Sequence, residues 1–406
     1  MAFINVRSKM LKSYEFKTFW RSLKPINTFS EAVVYGEHHF TRYFSHCGFE
    51  WDCLQNDSRD DYTDTAHDSL PYRFLKHYKV PFIAKKSVDG QLPLLNTTSF
   101  GYGAEPHKAI EFVERHTDYD ASMISDDILR NNHLSEICER LQLEFIIPEN
   151  CLEREYTYGK KIAVICHIYY SDLVEECARY SENFPENTDF YLTTTSEETL
   201  EEIHKEYSKR GFNYTVQIRP NVGRDIPTLF VTYADVVTSS KYEYICYFHD
   251  KKSVQKRQIV GESFRYYLFD SLFGTKEIVK NIINLFESNP RLGIVARNIG
   301  YHAEFFDIAR RTHKHNYNRV RELIERAGMD VPFNPHYIPP SAHGSMLWFR
   351  SEVIGNPIAN LALTYDDFES VGDDKGTIDT ITHDVEFSWG LFAQASGYYI
   401  AFASSS

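Results

Sequence analysis

Arg219-Pro-Asn-Val-Gly-Arg-Asp225, an apolar segment of helical length, then Tyr242-Glu-Tyr-Ile-Cys-Tyr-Phe248 running into His249-Asp-Lys-Lys-Ser253: this stretch decides the fold. It reads as two strand ends opening onto one side of a sheet. Tyr214–Arg219 predicts a strand that ends in a turn. Gly223 permits positive φ there, Asp225 supplies an N-cap for a new helix, and Arg224 stands at its start. Such a turn is an anion seat. Tyr244–Phe248 predicts a second strand that delivers a cluster of titratable side chains, and ligands of open α/β sheets sit beyond the carboxyl ends of strands. The pattern predicts a ligand that carries phosphate.

Working outward, the alternation is regular from Lys160 onward. Strands are expected over Lys161–Tyr169, Asp189–Thr194, Asn213–Arg219 and Tyr244–Phe248, with helices over Asp172–Asn183, Ser196–Arg210 and Asp225–Val237. Short apolar strands alternating with helices imply βαβ units, hence a Rossmann-like, mainly parallel α/β sheet covered on both faces. Beyond it come a helix Lys276–Ser288, a strand Leu292–Asn298 and a basic, aromatic region to about Ala342. A strand Gly344–Phe349 follows. A final helix, about Thr382 to Ser396, is stopped by Gly397 and followed by an apolar Tyr398–Phe402.

The N-terminal region reads differently. Phe3–Leu11 echoes Met346–Ile354 with the Arg-Ser pair in register, and Glu37 precedes Gly48 by the same spacing at which Glu386 precedes Gly397. Phe40, Tyr43 and Phe44 sit where Trp389, Phe392 and Ala393 sit in the later stretch, a helical stripe in both. The expectation is a partial α/β or mostly helical region, the tail of a second such domain over 1–100, with chance similarity of short amphipathic elements as the alternative. A helical connector spans 101–158, with helices at His107–Arg115 and Asp127–Leu141, and the main domain spans 159–406. Pro71–Lys86 reads as a surface connection.

Composition bounds the function classes. The chain has 406 residues, 42% hydrophobic and 25% charged, with a net charge of −13. That balance argues against nucleic acid as a partner, which needs clustered positive charge, so any basic site is local. Aromatic residues make up 15% of the chain and suit stacking on sugars as well as core packing. The seven cysteines are scattered without C-x-x-C spacing, as expected of reduced thiols in a cytoplasmic protein. No apolar run reaches the length of a membrane span, and the start lacks an apolar region of signal-peptide length.

Four segments together resemble the rhamnan synthesis protein F family: Arg219–Pro227, the strand ending in His249–Ser253, Gly344-Ser-Met-Leu-Trp-Phe-Arg350, and the helix beginning His383-Asp-Val-Glu386. The resemblance covers about Lys160 to the C-terminus, and the N-terminal part is similar to segments of such multidomain proteins. It implies a bacterial glycosyltransferase of surface polysaccharide or lipopolysaccharide assembly, a GT-A-like domain, and dTDP-L-rhamnose as the nucleotide-sugar donor. The acceptor it implies is a glycan or lipid-linked glycan, which would bring a cytoplasmic enzyme to the inner membrane face as a peripheral contact. In that layout the first strand and its loop, Ile165–Tyr170 with His167 and Tyr169, meet the nucleotide, and Asn221, Gly223, Arg224 and Asp225 contact the nucleotide sugar. His249, Asp250, Lys251, Lys252 and Ser253 lie at the diphosphate. The Asp-x-Asp that holds a metal in many such enzymes is here a single Asp250, a poor cage for Mg²⁺. Two lysines can neutralise a leaving diphosphate directly, so no cofactor is required, with Mg²⁺ or Mn²⁺ on Asp250 as the alternative.

For the base that takes the acceptor proton, the candidates are Glu386 and Asp384 in the first turn of the last helix, where acidic residues also simply suit the helix dipole. Arg310 and Arg311, in the densest basic cluster, are candidates for phosphate or acceptor binding, against the reading of a solvated helix start. His343, Gly344 and Trp348 are candidates on the acceptor side. Two other functions remain open: a non-catalytic nucleotide-sugar-binding or scaffold protein, and a metal-dependent hydrolase built on His249-Asp250 and His383-Asp384.

Overall fold

The computed structural model describes residues 4–28, 31–52, 71–83, 85, 105–252, 258–297, 316–336, 339–342, 344–370 and 380–405. The chain divides into two units, Met1–Val88 with Leu92–Thr117, and Asp118–Ser406 with Asp89–Gln91.

The described residues of the first unit are helical: α1 (Ser8–Leu11), α2 (Tyr14–Ser22), a π-helical segment Ala32–His38 leading into α3 (His39–His46), α4 (Pro71–Lys76) and α5 (Glu105–His116). Ser13 caps α2, its hydroxyl accepting the Phe16 N–H, and Phe19 of α2 packs against Phe40 and Phe44 of α3. Pro71–Lys76, expected as a surface connection, is a helix that buries Pro71 and Phe74. Proline suits the first helical position, where its missing N–H costs nothing.

The two echoed stretches share a local grammar. Arg7 and Arg350 are both extended residues that open a helix at the following serine. Gly48 and Gly397 both stand at positive φ just past a helix end, with Phe49 N–H on Phe44 O and Tyr398 N–H on Ala393 O closing the same terminal motif. The strand Leu347–Arg350 has no counterpart, since residues 4–7 carry no strand.

The second unit is a mixed α/β structure around one eight-stranded sheet. Its strands are β1 (Glu144–Ile147), β2 (Ala163–His167), β3 (Asp189–Thr194), β4 (Asn213–Ile218), β5 (Tyr244–His249), β6 (Leu292–Arg297), β7 (Leu347–Arg350) and β8 (Tyr399–Ser405), in the order β1-β8-β6-β7-β5-β2-β3-β4. All pairings are parallel except those of β7, which runs against both β5 and β6. The central strands are buried along their length, Ala-Val-Ile-Cys-His in β2 and Tyr-Ile-Cys-Tyr-Phe in β5, as parallel strands covered on both faces must be. Edge strand β4 instead alternates exposed and half-buried residues.

The helices of this unit are α6 (Ser122–Asn131), α7 (Leu134–Leu141), α8 (Val174–Ser181), α9 (Glu197–Lys209), α10 (Ala234–Thr238), α11 (Gln258–Phe273), α12 (Lys276–Ser288), α13 (Ser351–Leu361) and α14 (Ile381–Ala395). A further helix covers 316–326. In α12, Ile278, Val279, Ile282, Ile283 and Phe286 form one apolar stripe that is buried, and Thr275 caps it. Emptying such a site, as in Ile282→Ala, costs about 2–5 kcal/mol. Residues 118–143, read as part of a connector, pack on the sheet unit: Gln394 of α14 donates to the carbonyls of Leu129 and Asn132.

The continuous helix expected over Asp225–Val237 is instead a π-helical turn, Thr228–Thr232, a break at Tyr233, and the short α10. Side chains pulled into the sheet explain the break. Thr228 is held by Arg219 and Thr193, and the Tyr233 hydroxyl donates to Leu192 O at 2.7 Å. The strand expected from Gly344 begins three residues later, because Gly344 and Ser345 both take positive φ and cannot pair in a ladder.

Candidate functional site

The chain winds outward through β2, β3 and β4 and then returns to the other side of β2 as β5. The direction of winding therefore reverses between β2 and β5, and crevices at such points are where doubly wound sheets bind ligands. His167 and His249 end these strands as direct partners in the ladder. Asp250 follows and is buried, and its Oδ2 accepts the N–H groups of Tyr169 at 3.0 Å and Tyr170 at 2.7 Å. It thereby ties the loop after β2 to the end of β5. Burial raises its pKa to about 6 against those two amides and the charges of His249 and Arg265.

The turn after β4 is built by Arg219, which is 3% exposed. Its Nε donates to Thr228 Oγ1 at 3.0 Å, its Nη1 to the carbonyls of Pro220 and Val222 at 3.0 Å each, and its Nη2 to Arg224 O. One guanidinium thus gathers four acceptors of the turn around itself. Gly223 and Arg224 both take positive φ, +61° and +54°. A side chain on Gly223 would meet Phe368 Cδ1 at 2.5 Å, so glycine is required. Thr382 Oγ1 donates to Gly223 O at 3.2 Å, and Arg224 Nη1 lies 3.4 Å from His383 Nε2, fastening the turn to the start of α14.

Asp225 was expected to cap a helix and does not. Its carboxylate accepts the Tyr247 hydroxyl at 3.0 Å and lies 3.9 Å from His249 Nε2, because the π-helical turn leaves it at the end of β5. The His249 ring stands between two carbonyls, Asp250 O at 2.7 Å from Nδ1 and Gly344 O at 2.8 Å from Nε2. Carbonyls only accept, so both bonds form together only when both ring nitrogens carry hydrogen.

His167 sits at the end of a buried polar chain. Its Nδ1 is 2.9 Å from Thr193 Oγ1, which is 2.6 Å from Thr228 Oγ1, the acceptor of Arg219. Passing hydrogens from Arg219 to Thr228 to Thr193 to Nδ1 leaves no buried hydroxyl hydrogen without an acceptor, and puts the ring hydrogen on Nε2. Burial, with the charges of Arg219 and His249, holds the His167 pKa well below its ordinary value, so the ring is neutral.

The third wall comes from the segment before β7 and from α14. Glu386 Oε1 accepts the Gly344 N–H at 2.6 Å, and Ser341 donates to Glu386 O. Lys251 lies in the field of Glu386 and Asp225, which favour its charge, and of Arg224, which opposes it; burial dominates and lowers its pKa. Its Nζ stands 4.6 Å over the Phe264 ring. Arg224, Asp225, His249, Lys251 and Glu386 are therefore one electrostatic cluster of three basic groups and two carboxylates.

The other candidates are placed elsewhere. Lys252 turns away from Lys251 and pairs with Asp172, 2.6 Å from Oδ1, beside Tyr170. Asp384 is buried, its Oδ2 accepting from Nε and Nη2 of Arg319 at 3.0 and 2.7 Å, with Asn316 beside its Oδ1. Two positions apart on a helix, Asp384 and Glu386 face different sides. Trp348, expected toward the acceptor, is fully buried in β7, donates to Leu272 O at 2.9 Å and stacks on Phe184. Tyr169 and Asn221 are exposed. Ser253, Arg310, Arg311 and His343 lie outside the described residues.

Sequence reading missed Arg265 and Phe264, on a helix it did not expect. Arg265 bridges Lys251 O at 2.7 Å and the Glu176 carboxylate, holding the loop after β5. Thr193 and Thr228, in an apolar strand and a helix pattern, carried no signal of their own. Among the described residues no group of three or more His, Cys, Asp or Glu is arranged to hold a metal ion.

A family model described as rhamnan synthesis protein F matches residues 1–398, nearly the whole chain. Comparison with curated proteins found no match.

Proposed function

Because the chain belongs to the rhamnan synthesis protein F family, and so to a polysaccharide pathway, we propose that it is a glycosyltransferase that moves rhamnose from dTDP-L-rhamnose to a growing glycan. One observation supports this most directly. At the switch point of the sheet, the turn after β4, the end of β5 and the start of α14 bring Arg224, His249 and Lys251 together with Asp225 and Glu386. Cations there suit the diphosphate of a nucleotide sugar, and a carboxylate on the facing helix suits an acceptor hydroxyl.

In this reading the acceptor oxygen attacks the anomeric carbon while the bond to the diphosphate breaks and its electron pair leaves with the phosphate. The proton passes to Glu386, oriented by the Gly344 N–H. Lys251 and Arg224 neutralise the departing charge. Asp384, engaged with Arg319, is the weaker base candidate. A divalent metal would have to use Asp250, whose Oδ2 already accepts two amides, together with the substrate phosphates.

The test is thermal shift across dTDP-, UDP- and GDP-sugars, with and without Mn²⁺, followed by transfer assays on variants. dTDP-L-rhamnose should stabilise the protein, by about 2.7 kcal/mol at a hundredfold excess over its dissociation constant. Glu386→Gln should keep donor binding and lose roughly 10²–10⁴-fold in turnover, and Lys251→Ala should lose donor affinity where Lys252→Ala does not. If no nucleotide sugar raises the melting temperature, the proposal fails.

A further inference from the structure

The N-terminal unit carries a feature that the cleft does not use. Residues 4–28 hold six basic side chains, Arg7, Lys9, Lys12, Lys17, Arg21 and Lys24, against a single carboxylate, Glu15, in a chain whose net charge is −13. All six are exposed. Among them stand apolar side chains that the fold leaves in solvent: Tyr14 at 78% exposure, Trp20 at 51% and Leu11 at 50%. The arrangement on α2 is ordered. At 100° per residue, Trp20, Lys17, Arg21 and Tyr14 fall in that order within an arc of about 120°. Phe19, on the opposite side, is buried against Phe40 and Phe44, with Phe16 packed beside it. The outer face is thus two amphipathic rings enclosing two cations, with α1 and the following loop adding more charge.

We propose that this face docks the protein on an anionic lipid surface. Rings of this kind settle at headgroup depth, and Lys and Arg beside them meet lipid phosphates. Charge complementarity calls for an anionic occupant, which a bilayer containing acidic lipids supplies. The half-exposed rings favour a bilayer over a purely ionic polymer, because burying them adds apolar area that a sugar-phosphate chain does not offer. Among the described residues no helix is long and apolar enough to cross a membrane, so the contact is one of lying on the surface. The proposal does not depend on the chemistry of the cleft.

The experiment is co-sedimentation of the full chain with phosphatidylcholine vesicles, with and without phosphatidylglycerol, at low and high salt. Binding should require the anionic lipid and weaken with salt. Lys17→Glu with Arg21→Glu should weaken it roughly twenty-five-fold or more, at about fivefold per charge. Lys276→Glu, at an exposed lysine of the sheet unit, should leave it unchanged. Tryptophan emission should shift to the blue on binding, and Trp20→Phe should abolish that shift. These substitutions are on the surface, so circular dichroism should match the parent. Equal binding to neutral and anionic vesicles overturns the proposal. So does wild-type sedimentation by the double variant, or retention on heparin without any vesicle binding.

Discussion

Replacing Arg219 by methionine keeps most of the side-chain volume and removes every donor. Four acceptors lose their partner: Thr228 Oγ1 and the carbonyls of Pro220, Val222 and Arg224. Hydrogen bonds to a charged group are worth about 1.5–3 kcal/mol each, and an orphaned buried acceptor costs about 1–3 kcal/mol. The simple total overstates the loss. The three carbonyl bonds are only part-buried, so water recovers some of each, and the variant no longer buries a charge whose own desolvation lowers its pKa. A net loss of about 3–4 kcal/mol remains. Urea denaturation followed by tryptophan emission reads it, since Trp348 and Trp389 are buried in the sheet unit. Arg219→Lys sharpens the test: it keeps the charge but cannot serve acceptors spread around a planar fork. It should lose nearly as much as methionine. A loss below about 1 kcal/mol for methionine, or full recovery with lysine, would refute the claim that the fork builds the turn.

Gly223→Ala should cost about 3 kcal/mol, from an unfavourable left-handed backbone plus overlap with Phe368 and Pro227, and should abolish the donor thermal shift. Gly48→Ala has the same backbone strain but open space around it, so a loss of only about 1 kcal/mol is expected; equal losses at the two sites would show that packing plays no part. Asp250 predicts a pH dependence of stability. Its folded pKa, about 6, lies above the ordinary 3.8, so the folded state binds the proton more tightly. The stability from that proton is fully present below about pH 3.8 and is lost as pH rises through about 6, an amount of about 3 kcal/mol. The unfolding free energy of the wild type minus that of Asp250→Asn should therefore fall between pH 4 and 7, and a flat difference would show that burial does not control this carboxyl.

The sheet was legible because its strands are short, apolar and evenly spaced; β3 and α12 fall where periodicity puts them. The cleft was legible where backbone chemistry dictates residue type. Gly223 and the polar run after Phe248 mark a turn and a strand end whatever the tertiary context. What escaped was set by partners distant in sequence. The direction of β7 is fixed by pairing with β5 and β6, and β1 is a four-residue edge strand whose partner lies at the far end of the chain. Trp348 was a candidate on the acceptor side, yet β7 is covered on both faces and the side chain is buried. The separation of Lys251 from Lys252, and of Asp384 from Glu386, follows from which face each occupies, and adjacency in sequence hides it.

Because β7 is reversed, its incoming end shares a rim with the outgoing ends of β2 and β5. A slip of one residue in its pairing would carry Gly344 about 3.3 Å from His249 and turn Trp348 to the wrong face. The tryptophan would lose its bond to Leu272 and its stack on Phe184. Trp348 thus serves as a ruler for a cleft it never touches. A chain that seats this side chain has already set the spacing between Gly344, His249 and Glu386, and a chain that does not seat it forfeits its core as well as its site.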